Sequence, residues 1–256
     1  MEWKEMMNLQ YIKKPFAMSV YGNILHERLI AHSHTFHKVV DFNSAKEKLI
    51  HFSFTDQNQE LTGIDLTNTE NFSAYILKKL KDKKAKYGIG GYNELRHLYG
   101  RSEVFNGINF SDEPRRLHLG IDIWGEAGTK VYAPLGGMVH SYGYNNNFGD
   151  YGATIILLHQ LDTVTFYTLY GHLSLDDLAR VTEYQYIIRG QVIGHYGNPQ
   201  ENGSWPPHLH FQIIKDMEEY KGDYPGVCKF SDSKKFLDNC PDPNLILNMM
   251  EYAESL

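Results

Sequence analysis

The run WPPHLHFQII, residues 205–214, sets two histidines one residue apart directly behind two prolines. Alternate side chains of a strand share a face roughly 6.5 Å apart, so His208 and His210 fall together and Leu209 faces the other way. Pro206 and Pro207 fix φ and lack N–H donors, which suits a strand entrance and not a strand centre. Such a pair suits a metal or proton transfer, and in isolation it reads equally well as two surface histidines. Two other segments carry compatible groups: LHLGIDIW holds His118 and Asp122 four residues apart, and YGHLS holds His172 at the end of an aromatic run. Catalytic zinc takes three His, Asp or Glu ligands and leaves a fourth position open. His118, Asp122 and one histidine of the pair meet that count. The other histidine and His172 are then free for proton transfer and for an oxyanion.

The His118–Asp122 spacing constrains the backbone. On a helix the two would align, but Gly120 and the β-branched Ile121 and Ile123 argue for extended chain. On a straight strand they would lie roughly 13 Å apart, too far for two ligands of one ion. The segment must therefore bend at Gly120, where the missing Cβ permits it.

The elements around these residues are mostly short and β-rich. HLGIDIW, TKVYAPL, GMVHSYGY, ATIILLHQ, TVTFYTLYGHL, QVIGHYG and HLHFQII read as strands separated by turn residues, which predicts an antiparallel β-sandwich or curled barrel. VYAPLGGMV (131–139) and IIRGQVIG (187–194) read as tight glycine hairpins and hint at internal repetition. This core spans 114–216. Residues 1–113 read as an α+β extension packed on it, with a strand in 47–54 and a helix over 68–84 that Asn68 caps. YGIGGYNELRHLYGRSEVF (87–105) reads as a loop with a short element. A tail over 217–256 uses CPDPNLIL to anchor back on the body.

Composition narrows the classes. The chain has 256 residues, 42% hydrophobic and 13% aromatic, which describes a folded protein with a real core. Its net charge of −6 argues against a nucleic-acid partner. No apolar run approaches the ~20 residues of a bilayer span, so no membrane insertion is expected. Two cysteines, Cys228 and Cys240, are too few for a disulfide framework. MEWKEMMNLQYIKKPF lacks the apolar stretch of an export signal, and the expected location is the cytoplasm.

The ordered set H-x-x-x-D, G-H-L-S and P-H-L-H-F resembles the lysostaphin/LytM-type zinc metallopeptidases. GTKVYAP, NFGDYGATIILLH and RGQVIGHYGN look like the connecting strands of that family, so the likeness covers about residues 116–215. YGIGGYNELRHLYGRSEVF and CPDPNLIL resemble a subgroup related to modules fused to aminotransferases. The resemblance implies a duplicated hybrid motif, a Zn(2+) cofactor and a peptide or peptidoglycan-fragment substrate. By similarity His118, Asp122 and His210 fall at the metal ligands, His208 at the general base and His172 at the second catalytic histidine. Two imidazoles and one carboxylate suit zinc on chemical grounds as well. The loop NPQENGSWPP departs from the family's small, Gly/Ser/Thr-rich pattern.

Other residues have weaker claims. Arg96, with Glu94 and Tyr99 beside it, is a candidate substrate contact presented by the GIGGY turn. Asn147, Asp150 and Trp205 are candidates in the cleft-wall loops. The cluster AHSHTFH (His32, His34, His37) completes no known ligand pattern, and His140, His159 and His195 read as structural. No glutamate follows His210 at the spacing a cupin needs. A second function of another class is a binding or scaffolding module that keeps the fold without hydrolysis. An open fourth position and a peptide-wide cleft favour the enzyme, whereas a blocked position favours the module.

Overall fold

The computed structural model describes residues 24–107, 109 and 111–255. The opening segment MEWKEMMNLQYIKKPF, on which the expected compartment rests, lies outside these residues. Among the described residues no helix is long and apolar enough to cross a membrane.

The fold is mainly β. Its strands are β1 (Lys48–His51), β2 (Ala85–Gly90), β3 (Glu94–Leu95), β4 (Leu117–His118), β5 (Ile121–Trp124), β6 (Lys130–Tyr132) and β7 (Gly137–Asn145). They continue as β8 (Gly152–Leu161), β9 (Val164–Leu173), β10 (Tyr186–Ile187), β11 (Val192–His195), β12 (His208–Ile214), β13 (Val227–Cys228) and β14 (Ala253–Glu254). Nine of them form one sheet in the order β10-β7-β8-β9-β12-β5-β2-β1-β14. Its pairs are antiparallel except β14–β1 and β1–β2. The pair β11–β6 and the triple β13-β4-β3 form two small sheets.

The sheet is continuous from the core into both flanking regions. β2, from the N-terminal extension, pairs with β5, and β14 from the tail pairs with β1. Backbone ladders as well as side-chain packing therefore tie these parts together. Residues 87–90 of β2 fall in the stretch that reads as a loop because of its glycines. Those glycines answer a packing demand: a Cβ on Gly88 would meet the Phe52 ring at 2.0 Å. Two further turns follow it, the 3-10 helices His97–Arg101 and Glu103–Phe105.

The two glycine segments are not hairpins. β6 pairs with β11 and β7 with β10, so each strand–turn–strand unit pairs with the other unit and not with itself. Glycine supplied the turns, but the partner strand was chosen by the sheet.

Strand alternation sorts the core. Leu209, Phe211 and Ile213 of β12 enter the main apolar cluster with Ile121 and Ile123 of β5, while His208, His210 and Gln212 take the opposite face. A second cluster forms on that other side. The helix Thr69–Lys83 contributes Phe72, Tyr75, Ile76 and Leu80 at helical spacing, packed with Phe52, Trp124 and Trp205. In the tail, Ile246 and Leu247 are buried in the main cluster, so CPDPNLIL does anchor the chain end. Asn68 caps the helix by accepting from Asn71 N–H at 3.0 Å. Asn68→Ala should cost about 1 kcal/mol, read as a lowered urea midpoint at unchanged slope.

Candidate functional site

Register brings the site together. In the β5–β12 ladder Asp122 lies directly opposite His210, and Trp124 opposite His208. β4 and β5 belong to different sheets and meet at Leu119–Gly120, so the chain does bend where the His118–Asp122 spacing requires. The reason lies in space more than in backbone freedom. A Cβ on Gly120 would meet His210 Cε1 at 2.4 Å, and only glycine lets that imidazole approach.

His118, Asp122 and His210 converge. His118 Nε2 is 3.4 Å from Asp122 Oδ1, His210 Nδ1 is 3.1 Å from the same oxygen, and the two nitrogens are 2.9 Å apart. Partners on the far side of each ring fix the tautomers. His118 donates from Nδ1 to Gly91 O at 2.9 Å. His210 donates from Nε2 to Gln212 Oε1 at 2.9 Å, and the Gln212 amide is oriented by donating to Pro225 O at 3.2 Å. The facing nitrogens, His118 Nε2 and His210 Nδ1, are thereby left to aim lone pairs at one carboxylate oxygen, with no proton between them. Three donors facing one point repel unless a cation joins them, and the two-imidazole, one-carboxylate set fits a zinc-type ion. Among the described residues this is the one group of three or more His, Cys, Asp or Glu side chains close enough to hold an ion.

His208 and His172 flank that point, with ring centroids 4.2 Å apart. Each donates its Nδ1–H to a backbone carbonyl, His208 to Pro206 O at 2.7 Å and His172 to Asn202 O at 2.8 Å. Each thus offers Nε2 as an acceptor, and His208 Nε2 lies 3.9 Å from Asp122 Oδ1. His172 sits at φ +63°, and the β8–β9 register shifts across this stretch. That extra residue turns the imidazole into the cleft, a usual service of β-bulges. Positive φ in a residue other than glycine carries strain, held here by its neighbours.

Burial sets the electrostatics. All five groups are at most 5% exposed. Desolvation lowers His118 and His208 to about 4, and it holds His172 well below the ordinary imidazole value. Burial alone would raise Asp122, but its polar neighbours, the Arg96 guanidinium among them, overcome it and keep the carboxyl well below its usual range. His159, outside the cleft and bonded to Thr168, is likewise lowered to about 4 by burial.

The cleft holds a cavity of about 180 Å³. Of the expected substrate contacts, Tyr99, Asp150 and Trp205 line it. Trp205 packs its ring near His172 and His208 and donates to Asp150 O at 3.2 Å. Asn147 is not in the lining; it bonds the Asp150 carboxylate at 3.1 Å. Arg96 reaches the cleft, but its guanidinium is buried and engaged by Asp122, Glu94 and Tyr99. Sequence reasoning passed over Gln212, although i+2 spacing from His210 on the same strand face was signal enough. Tyr224, Pro225 and Gly226 also wall the cleft, and nothing in the polar tail announces it.

Residues 116–222 match peptidase family M23. This stretch belongs to that family. Over 127 residues the chain is 32% identical to the L-Ala–D-Glu endopeptidase of Bacillus subtilis (strain 168), covering 47% of this chain and 34% of that protein. The chain thus spans about a third of that relative's length. Two solved structures are similar in part. Lysostaphin from Staphylococcus simulans is 28% identical, with 66% of this chain and 52% of that one covered at a TM-score of 0.39. A zinc containing peptidase from Vibrio cholerae is 29% identical, with 38% and 27% covered at a TM-score of 0.31.

Within the M23 segment, the lowered histidines have a consequence for stability. Each is neutral when folded and binds a proton more readily when unfolded, from the ordinary 6.5 downward. Their contribution is whole above about pH 6.5 and is lost as pH falls toward about 4. Urea midpoints measured with a chelator present should therefore drop across that window.

Proposed function

We propose that the cleft is a zinc-dependent metallopeptidase site that hydrolyses an amide bond in a peptide or peptidoglycan-like substrate. The observation that carries this reading is the meeting of two imidazole lone pairs and Asp122 Oδ1 at one point. His118 Nε2, Asp122 Oδ1 and His210 Nδ1 would hold the ion. When bound, zinc supplies a Lewis acid for the scissile carbonyl and for the attacking water.

The remaining steps fall to the chain's own groups. His208 Nε2 accepts the water's proton, and nearby Asp122 favours the resulting cation. His208 then returns that proton to the leaving amine. His172, with its Nδ1–H committed to Asn202 O, first accepts a hydrogen bond that orients the water. To steady the oxyanion its Nε2 would have to carry a further proton taken up from solvent, which refines the role the resemblance implies. The paired units β6–β11 and β7–β10 support assigning the family's duplicated hybrid motif to this domain.

A non-hydrolytic binding module remains a second reading, favoured by the near-complete burial of all five site groups. Hydrolysis of a peptide containing an L-Ala–D-Glu bond tests the choice. Cleavage should vanish after chelation and return with zinc. His210→Ala should lose the metal. His208→Ala should keep it and lose about 10²- to 10⁴-fold in turnover. Zinc-loaded protein that binds such peptides without cleaving them would decide for the module.

A further inference from the structure

Arg96 lies outside the M23 segment, in the turn region after β2, yet its guanidinium is 2% exposed and sits against a proposed metal ligand. Its Nη1 donates to Asp122 Oδ2 at 2.5 Å and to the Tyr99 hydroxyl at 3.2 Å. Its Nε donates to Glu94 Oε2 at 2.6 Å. Glu94 is itself fixed, since its Oε1 accepts from Phe54 N–H at 3.1 Å. The guanidinium also lies over the rings of Phe54, Tyr99 and Trp124. A planar fork held on one edge by a carboxylate and packed on aromatic faces has little freedom to turn.

Its placement selects between the two oxygens of Asp122. Oδ2 is taken by Arg96, and Oδ1 is the oxygen that faces His118 and His210. Gly91 belongs to the same device. Its carbonyl seats His118 through Nδ1, and at φ +107° it has no Cβ to strike Arg96, where one would come within 1.7 Å of Nη2. The 91–96 turn thereby positions two of the three ligand side chains.

We infer that Arg96 is a positioning residue of the metal centre, which reserves Asp122 Oδ1 as a single-oxygen donor by occupying Oδ2. The N-terminal region is on this account a working part of the site. The inference rests on the metal-site reading proposed above. Removing Arg96 would free Oδ2, let the carboxylate rotate and leave its second oxygen free to join the ion. Outer partners of this kind typically contribute about 10- to 100-fold in metal affinity.

The test is zinc affinity of the full chain by chelator competition, with the visible spectrum of the cobalt-loaded protein as a second readout. Wild type, Arg96→Lys, Arg96→Met and His210→Ala are compared, with folding checked by circular dichroism. Arg96→Met should bind zinc about 10- to 100-fold more weakly, with weaker cobalt absorption as the second oxygen raises the coordination number. Arg96→Lys, which keeps the charge without the fork, should fall between it and wild type. A purely structural role would lower the melting temperature and leave affinity and spectrum of the folded protein unchanged, which overturns the inference. Should Arg96→Met fail to fold, Arg96→Lys decides: wild-type affinity overturns the inference, and weaker binding upholds it. No zinc on wild type would instead bring down the metal-site reading itself, and the inference with it.

Discussion

Asp122 and His210 face one another across the antiparallel ladder of β5 and β12, and the whole cleft depends on that register. A slip of one residue would turn every side chain of β12 to the opposite face. Leu209, Phe211 and Ile213 would then leave the apolar cluster, and the three polar residues between them would enter it. The hydrophobic demand of one face thus fixes the chemistry of the other. The bend at Gly120 then returns His118 to the same point from the neighbouring small sheet.

Holding polar groups in so dry a place is costly unless each has a partner. The arrangement meets this with backbone carbonyls and one amide. Gly91 O, Asn202 O and Pro206 O each take an imidazole N–H, and Gln212 takes the fourth. Those four hydrogen bonds do more than satisfy donors. They decide which nitrogen of each ring faces the cleft, and so separate the pair that converges on Asp122 Oδ1 from the pair that flanks it among four chemically identical side chains. Arg96 does the same for the two oxygens of Asp122.

Part of this was legible along the chain. The H-x-H run behind two prolines foretold a strand with both imidazoles on one face, because alternation follows from backbone geometry alone. The His118–Asp122 spacing required a bend, because neither a straight strand nor a glycine-containing helix meets the distance. Asn68 marked its helix by the ordinary chemistry of a cap. The glycine segments at 131–139 and 187–194 misled, since a turn residue specifies a reversal and leaves open which strand the chain then pairs with. YGIGG misled in part: Gly88 makes room for the Phe52 ring inside β2, and of its glycines only Gly91 lies beyond the strand.

The sequence by itself determined the residue types able to do the chemistry, the face each takes on its own strand and the need for a bend between His118 and Asp122, all local consequences of backbone period and side-chain shape. Tertiary structure alone decided which oxygen of Asp122 is free, which nitrogen each histidine presents and that the Arg96 guanidinium is paired with Asp122. Those choices depend on partners brought together by the sheet, Arg96 with Asp122 across 26 positions and His118 with His210 across 92. No local pattern encodes such meetings, because they follow from which strands pair and how closely their faces approach.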